Sequence, residues 1–577
     1  MPRDRRFMGL RTLLAGVTVL LLAVPASARA SSLIDAARNG DAAAVRALLG
    51  QHADVNTSGG DGMTALHWAA YGGEREIARA LVEAGAEVNV RSVRGLTPLL
   101  LAADNADGAL VALLLKAGAN PNLPNALGTT PLMRAAAAGD VASVTALLES
   151  GASINAREPA HQHTALMFAA ALGRVDVIRT LAARGADLDA VSRSVANTTD
   201  LVDEDGNPIP AESRTGQTER KTKGDGLSLG LGGRTALHYT AREGLTAAAA
   251  ALIEAGAKVN AIDPLDGSSA LVVAIANGHF DLAKYLLDHG ADPNLAMKDG
   301  VAALYAVIET QWAPVSWTPT AFTAANGIVQ QATDHLSLIR TLLAHGADAN
   351  ARTSRTVWFS PPHHNITWAK TGGTTPFWRA AQANDIPAMR LLVEWGADPF
   401  IASSDQTTPV AVAAGVGWAG NFSTTAPGAF LDATRYLVEE IGLDVNIANT
   451  AGYTPLMGAA WRGDNTLINY LVSKGARIDT RNARGWSATD MANGPFIRGT
   501  QVPVKYPESI ALLKQLGAPD LLTVDDERLG GGRSTGARRG GDRTGADADD
   551  FDPDAAADDA TPGQRPPAGQ SRPRGSR

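Results

Sequence analysis

The chain contains no cysteine. Disulfides, thiolate catalysis and cysteine-ligated zinc are thereby excluded. Aromatic residues are scarce, at 5% of 577, and unevenly placed, with nine of the ten tryptophans between positions 312 and 486. No stripe dense in lysine and arginine occurs, and the formal net charge of −8 is mild for this length, which argues against nucleic acid as a partner. After residue 30 no apolar run is long enough to span a bilayer, so no membrane span is expected in the mature chain. There is no phosphate-cradling loop, no dinucleotide fingerprint and no His-Glu-x-x-His. Gly226-Leu-Ser-Leu-Gly230 matches a nucleophile elbow, yet it lies in a polar stretch rather than between a strand and a helix. His161-Gln-His163 and His363-His364 are the only close histidine pairs, and neither has a convincing third ligand, so they read as solvated or hydrogen-bonded side chains. Neither an enzyme, nor a metal, nor a cofactor is expected.

What is present is a repeat. Gly62-Met-Thr-Ala-Leu-His-Trp-Ala-Ala-Tyr-Gly-Gly leads into an apolar-periodic stretch and closes on Gly85-Ala-Glu-Val-Asn89. Its Thr recurs as Thr64, Thr97, Thr130, Thr164, Thr235, Ser269, Ala302, Thr375, Thr408, Thr454 and Ser487, and five of the ten intervals are 33 residues. Each part has a physical reason. The hydroxyl can accept from the free N–H groups that open a helix, and Pro one residue later suits the first turn. Leu-x-x-Ala-Ala gives a short helix with a small-residue face. A second helix, as in Ile77-Ala-Arg-Ala-Leu-Val82, is apolar at i, i+3 and i+4. Gly85 then ends it where φ > 0 is wanted. About twelve residues to the next Thr leave room for a tight hairpin. One such unit cannot bury its own apolar face, and a stack can.

The unit resembles the ankyrin repeat, through Thr64-Ala-Leu-His67, Thr97-Pro-Leu, Thr130-Pro-Leu, Thr235-Ala-Leu-His238, Thr375-Pro, Thr454-Pro-Leu and endings such as Gly118 to Asn122 and Gly256 to Asn260. The resemblance covers residues 31 to 521 and implies an all-α repeat solenoid of about twelve helix-turn-helix units with short β-hairpin fingers. It also implies a protein partner, bound on the concave side by the fingers and first-helix ends. By position these are the residue just before each Thr and the seventh and eighth after it. The best candidates are Tyr71, Arg242, Tyr453, Trp461, Arg462 and Trp486; the last four come from repeats eleven and twelve and are expected to cluster as aromatic and arginine anchors. His67 and His238 are expected to brace one hairpin against its neighbour.

Residues 1–30 read as a cleaved signal peptide: Arg3, Arg5, Arg6 and Arg11, an apolar run from Leu13 to Val24, then Ala26-Ser27-Ala28 and Ala28-Arg29-Ala30. Asp4 and Gly9 fit a twin-arginine signal poorly, so the general route is favoured. With the Ala/Arg/Gly-rich composition this points to a bacterial, periplasmic or secreted protein.

The period divides the rest. Regular repeats occupy 31–189; a polar insertion, expected to be flexible, follows at 190–232; repeats resume at 233–300. Repeats with aromatic-rich insertions at 311–333, 351–372, 415–432 and 495–507 fill 301–521, and the Gly/Arg/Asp/Pro-rich 522–577 reads as a disordered tail. Trp358, Phe359 and Trp368 in the 351–372 insertion are possible loop contacts. The reading is a monomeric, non-catalytic scaffold for an unidentified protein. The alternative is a small ligand or glycan stacked on the Trp-rich insertions, with Trp312, Trp317, Trp358 and Trp418 lining a pocket.

Overall fold

A computed structural model describes residues 32–193, 233–312, 331–354, 372–418, 430–495 and 504–522. These hold 24 α-helices, which form twelve consecutive pairs. The first pair is Leu33–Arg38 with Ala42–Gly50, the second Ala65–Gly72 with Arg75–Glu83, and the twelfth Ala488–Ala492 with Pro507–Gln515. First helices pack on the first helices of adjacent repeats, as Pro98–Asp104 does on Pro131–Ala138, and second helices pack on second helices. Among the described residues the chain is an all-α repeat solenoid of stacked helix pairs.

The caps form as the residue types dictate. Thr97, Thr130, Thr164, Thr375, Thr408 and Thr454 each accept from the backbone N–H three residues on. Pro98, Pro131, Pro376, Pro409 and Pro455 follow directly, where a missing N–H costs nothing. Ala302 holds the same place in repeat eight and caps nothing. Repeat one is capped by Ser32. Second helices open on aspartates: Asp41, Asp107, Asp140, Asp385 and Asp464 accept from their first turns. Gly85 stands at φ 87° beyond helix Arg75–Glu83, a left-handed turn that a Cβ would strain.

The fingers are turns rather than extended strands. Among the described residues only two isolated antiparallel bridges occur, Ser58 with Thr64 and Ile262 with Ser269. Each finger closes on itself, as where Ser92 N–H donates to Leu96 C=O (2.9 Å). It also bonds its neighbour: Val93 N–H donates to Asp61 C=O at 2.9 Å and Ala126 N–H to Arg94 C=O at 3.0 Å. The same closure survives where the period breaks. Ser192 N–H donates to Arg234 C=O (3.1 Å) and Thr353 N–H to Thr374 C=O (3.0 Å). The finger bases on either side of 194–232 and of 355–371 are thus shut in the ordinary way. At the helix-to-helix edge, helix Phe430–Arg435 begins inside the stretch expected as an insertion, and passes into a π-turn at Tyr436–Glu440.

Buried apolar side chains form two contiguous clusters. One runs from Leu33 to Leu443, and the other from Ala411 to Leu513. Among the described residues no helix is long and apolar enough to cross a membrane.

Candidate partner-binding surface

The buried histidines define the finger base. His67 Nε2 bonds the Leu96 carbonyl of the next finger at 3.0 Å, so this nitrogen carries the proton and Nδ1 accepts from Thr64 N–H and Oγ1. His238 repeats the arrangement with Ser268 C=O at 3.1 Å and Thr235. In repeat nine the same position is Trp378, whose indole N–H donates to Thr407 C=O at 2.8 Å. Two different rings thus make one bracing bond, as expected for the histidines.

The residue just before the cap is buried at Arg234, Thr374 and Tyr453 and half-buried at Met63, Leu96, Thr129, His163 and Trp486. His163 Nε2 lies 2.8 Å from Tyr239 Oη, and Thr374 Oγ1 lies 3.1 Å from Tyr305 Oη, each contact joining that position to the first helix of a neighbouring repeat. The fingertips stand three to four residues before the cap. There Val93 is 78% exposed and Leu127 74%. Their fingers are joined by the Ala126-to-Arg94 bond, so two aliphatic tips stand side by side.

This register decides the candidates. Tyr453 is 4% exposed, and burial pushes its phenol above the ordinary value. Its ring belongs to the second core cluster, which corrects its expected place as a surface anchor. Trp486, at the same register of the last repeat, is half-buried, with the Arg484 guanidinium 5.0 Å above its ring. Trp461 is half-buried and donates its indole N–H to Trp418 C=O at 3.1 Å. Arg462 is also drawn inward. Its guanidinium lies 3.0 Å from the Phe430 ring centre and 5.2 Å from that of Trp418, and Asp464 is 3.9 Å away. Nε and one terminal nitrogen are buried without hydrogen-bond partners, and burial lowers the pKa to about 10. Of the four residues expected to cluster at repeats eleven and twelve, Tyr453 is buried, Arg462 packs against Phe430 and Trp418 with 12% of its side chain exposed, and Trp461 and Trp486 are half-buried.

Elsewhere the candidates stay accessible. Tyr71 is 61% exposed, edge-on to Trp68 at 5.9 Å, and its carbonyl accepts from Asn105 at 2.7 Å. Arg242 pairs with Glu243 at 2.8 Å and lies 5.3 Å from the Tyr239 ring. Trp358, Phe359 and Trp368 lie outside the described residues, as does Trp317. Trp312 is not a free stacking platform, because its indole donates to Asp385 at 2.8 Å and its ring meets His335 edge-on. Burial pushes the Asp385 carboxyl up, but bonds from His335, Ala388 N–H and Trp312 outweigh it and leave the pKa below the usual value. Glu309 and Arg379 form a buried ion pair beside it, and Arg379 also reaches Trp312 C=O at 3.2 Å. This network anchors repeat eight to repeat nine.

Two sets of residues escaped the sequence. One is a row of asparagines. Asn89 Nδ2 donates to Gly118 C=O (3.0 Å) while its Oδ1 accepts from Asn120 N–H (2.7 Å). Asn122, Asn260, Asn294, Asn350 and Asn446 make the same pair of bonds one repeat on. The recurrence of Asn was visible, though not its reach across the repeat boundary. The other is Glu158, which lies beneath His161 and His163; their ligand atoms all fall within 4.8 Å of one another.

Comparison with known proteins agrees with the geometry. The family model described as "Ankyrin repeats (3 copies)" matches residues 33–125, 101–192 and 218–297, and the single ankyrin-repeat model matches 451–483. The chain is 31% identical over 120 residues to the B-cell lymphoma 3 protein homolog of Mus musculus, covering 21% of this chain and 22% of that protein. It is 32% identical over 156 residues to human ankyrin repeat domain-containing protein 63, covering 27% and 34% respectively. The matches thus span 22% and 34% of these relatives' lengths. A solved structure, the ankyrin repeat domain of human ASB11, is 26% identical, with 45% of this chain and 98% of that one covered and a TM-score of 0.35.

Proposed function

We propose that this protein is a non-catalytic scaffold that binds another protein through its fingers and first-helix ends, in an exported compartment. The observation that carries the reading is the pair of joined fingertips bearing Val93 and Leu127, exposed at 78% and 74%. Apolar side chains held out by a rigid, hydrogen-bonded row are costly to solvate and useful in an interface. Tyr71 and Arg242 add an aromatic and a cationic contact from first-helix ends; Trp461 and Trp486 offer partial ring surface farther along. Export rests on residues 1–30, which lie outside the described residues.

The test is affinity capture from cell-envelope extract with the mature chain as bait. Val93→Asp with Leu127→Asp, Tyr71→Ala with Arg242→Ala, and Trp461→Ala with Trp486→Ala serve as parallel baits. A protein retained by the wild type and lost with the fingertip pair supports the reading. Equal retention by all baits removes the proposed face, and loss only with the tryptophan pair moves it to the last two repeats. N-terminal sequencing of the exported chain checks cleavage near residue 30.

A further inference from the structure

We propose that the finger of repeat five binds one divalent transition-metal ion of the Zn²⁺ class through the Glu158 carboxylate and the Nδ1 atoms of His161 and His163. Nδ1 of His163 lies 3.3 Å and Nδ1 of His161 3.7 Å from Oε1 of Glu158. A tetrahedral ion with bonds of about 2.0–2.2 Å sets its ligand atoms about 3.3–3.6 Å apart, so the two carboxylate-to-imidazole edges need almost no closure, while the three ligand atoms together lie within 4.8 Å. The two imidazoles are parallel, 5.2 Å apart with planes 11° from one another, and turn the same edge to the carboxylate. Imidazole with carboxylate and no thiolate is a donor set for Zn²⁺ and its neighbours rather than for calcium or magnesium.

The proton positions favour a cation. Tyr239 donates its hydroxyl to Ser192 Oγ at 3.2 Å, so it accepts from His163 Nε2 at 2.8 Å. That places the His163 proton on Nε2 and leaves the Nδ1 lone pair facing a carboxylate oxygen. Lone pair against lone pair at 3.3 Å is repulsive, and a metal ion between them turns it into two bonds. The Nε2-to-tyrosine bond is also the outer-shell support that ligating histidines commonly have.

Glu158 is held in place before any ion arrives. Oε1 accepts from His161 N–H (2.8 Å) and His163 N–H (3.0 Å), and Oε2 from Ala160 N–H (2.7 Å). In three other fingers a neutral amide does this turn-closing work, Asn125, Asn449 and Asn482 each accepting from two N–H groups, while Asp263, Asp299 and Asp405 do it with a buried carboxylate. Repeat five also buries a charge, with 7% of the Glu158 side chain exposed, and here, among the described residues, only these two histidines come within ion-pairing distance. A buried carboxylate without a fixed cation is costly where an amide would serve. His161, with 61% of its side chain exposed, leaves an entry path and room for water as a further ligand.

The experiment is equilibrium dialysis of the chelator-stripped full chain against ZnCl2, with the visible spectrum of the Co²⁺-loaded protein as a geometry readout. One Zn²⁺ per chain is expected, with a tetrahedral-type Co²⁺ band. His161→Ala removes an exposed ring that packs on no core; it should weaken Zn²⁺ by about tenfold or more, abolish the band and leave the metal-free melting temperature unchanged. Glu158→Gln should do the same to the metal, and His52→Asn, far along the chain, should change nothing. The proposal is overturned if the wild type takes up no Zn²⁺, or if His161→Ala and Glu158→Gln bind it as tightly as the wild type.

Discussion

His238 sits fully inside the stack with both ring nitrogens engaged, and burial pushes its pKa down to about 4. In the unfolded chain the ordinary value of about 6.5 applies. Between those two values the unfolded chain binds the extra proton, so His238 stabilises the fold fully above pH 6.5 and loses that contribution as pH falls to about 4. The full span amounts to about 3 kcal/mol. Asp263 acts in the opposite sense. It is fully buried; Oδ2 accepts no hydrogen bond, the Arg234 guanidinium stands 3.9 Å away, and burial outweighs that charge and raises the pKa to about 6. A native pKa above the unfolded one favours folding at low pH and loses that contribution as pH rises through about 6. His238→Met, with Met133, Met167 and Met457 as precedents at the same register, should flatten the dependence of the urea midpoint on pH between 4 and 6.5. Asp263→Asn should raise the midpoint at pH 7 and steepen the remaining dependence. An unchanged slope in the first variant, or a lower neutral-pH midpoint in the second, would contradict these assignments. The bracing role of His238 was readable from Thr-x-Leu-His. The burial of Tyr453 was not, because one sequence shows that a residue precedes the cap but not which way the finger base turns it. Glu158 was missed for a related reason: its partners are set by a finger one residue longer than its neighbours, which bends the carboxylate back under two rings.

Helices and fingers are the level at which the sequence was most readable, since caps, Pro at the first turn and terminal Gly are local physics. Repeat eight is the exception that tests this. Ala302 leaves its helix without a side-chain cap, whereas Ser269 in the preceding repeat accepts from Val272 N–H at 3.3 Å. Ala302→Ser should therefore stabilise the chain by about 1 kcal/mol, read from chemical denaturation. No gain would mean that the buried hydroxyl fails to reach the N–H of Tyr305. The asparagine row belongs to the same scale but links elements across repeats. Asn122→Ala removes two bonds from a solvent-facing site, to Gly151 C=O and Ser153 N–H. A cost of about 1 kcal/mol is expected, with faster hydrogen exchange near Ser153. Full protection there would show that the row is decorative.

At the scale of the whole stack, what matters is where cooperation between repeats is weakest. Helix Pro409–Ala413 is the seam: Val410, Val412 and Ala413 join the long apolar cluster, while Ala411 joins the second one. Across that seam the next first helix comes very close. A Cβ at Gly458 would meet Val416 N at 2.7 Å, Gly415 C at 2.9 Å and Ala414 O at 3.0 Å, all backbone atoms that cannot rotate away. Because a solenoid is stabilised by each repeat and each neighbour contact, a wedge at one boundary should act on that boundary rather than on the whole. Gly458→Ala is thus expected to cost about 1–3 kcal/mol and to split unfolding in two. Hydrogen exchange at increasing denaturant would show amides of helices Pro455–Trp461 and Asn465–Ser473 opening before those of Ala236–Glu243 and Ala270–Ala276. A uniform shift of all four would mean that the two clusters unfold as one and that the seam has no mechanical meaning. A split would define repeats eleven and twelve as a separately opening end, and so give the half-covered Trp461 and Trp486 a route to full exposure.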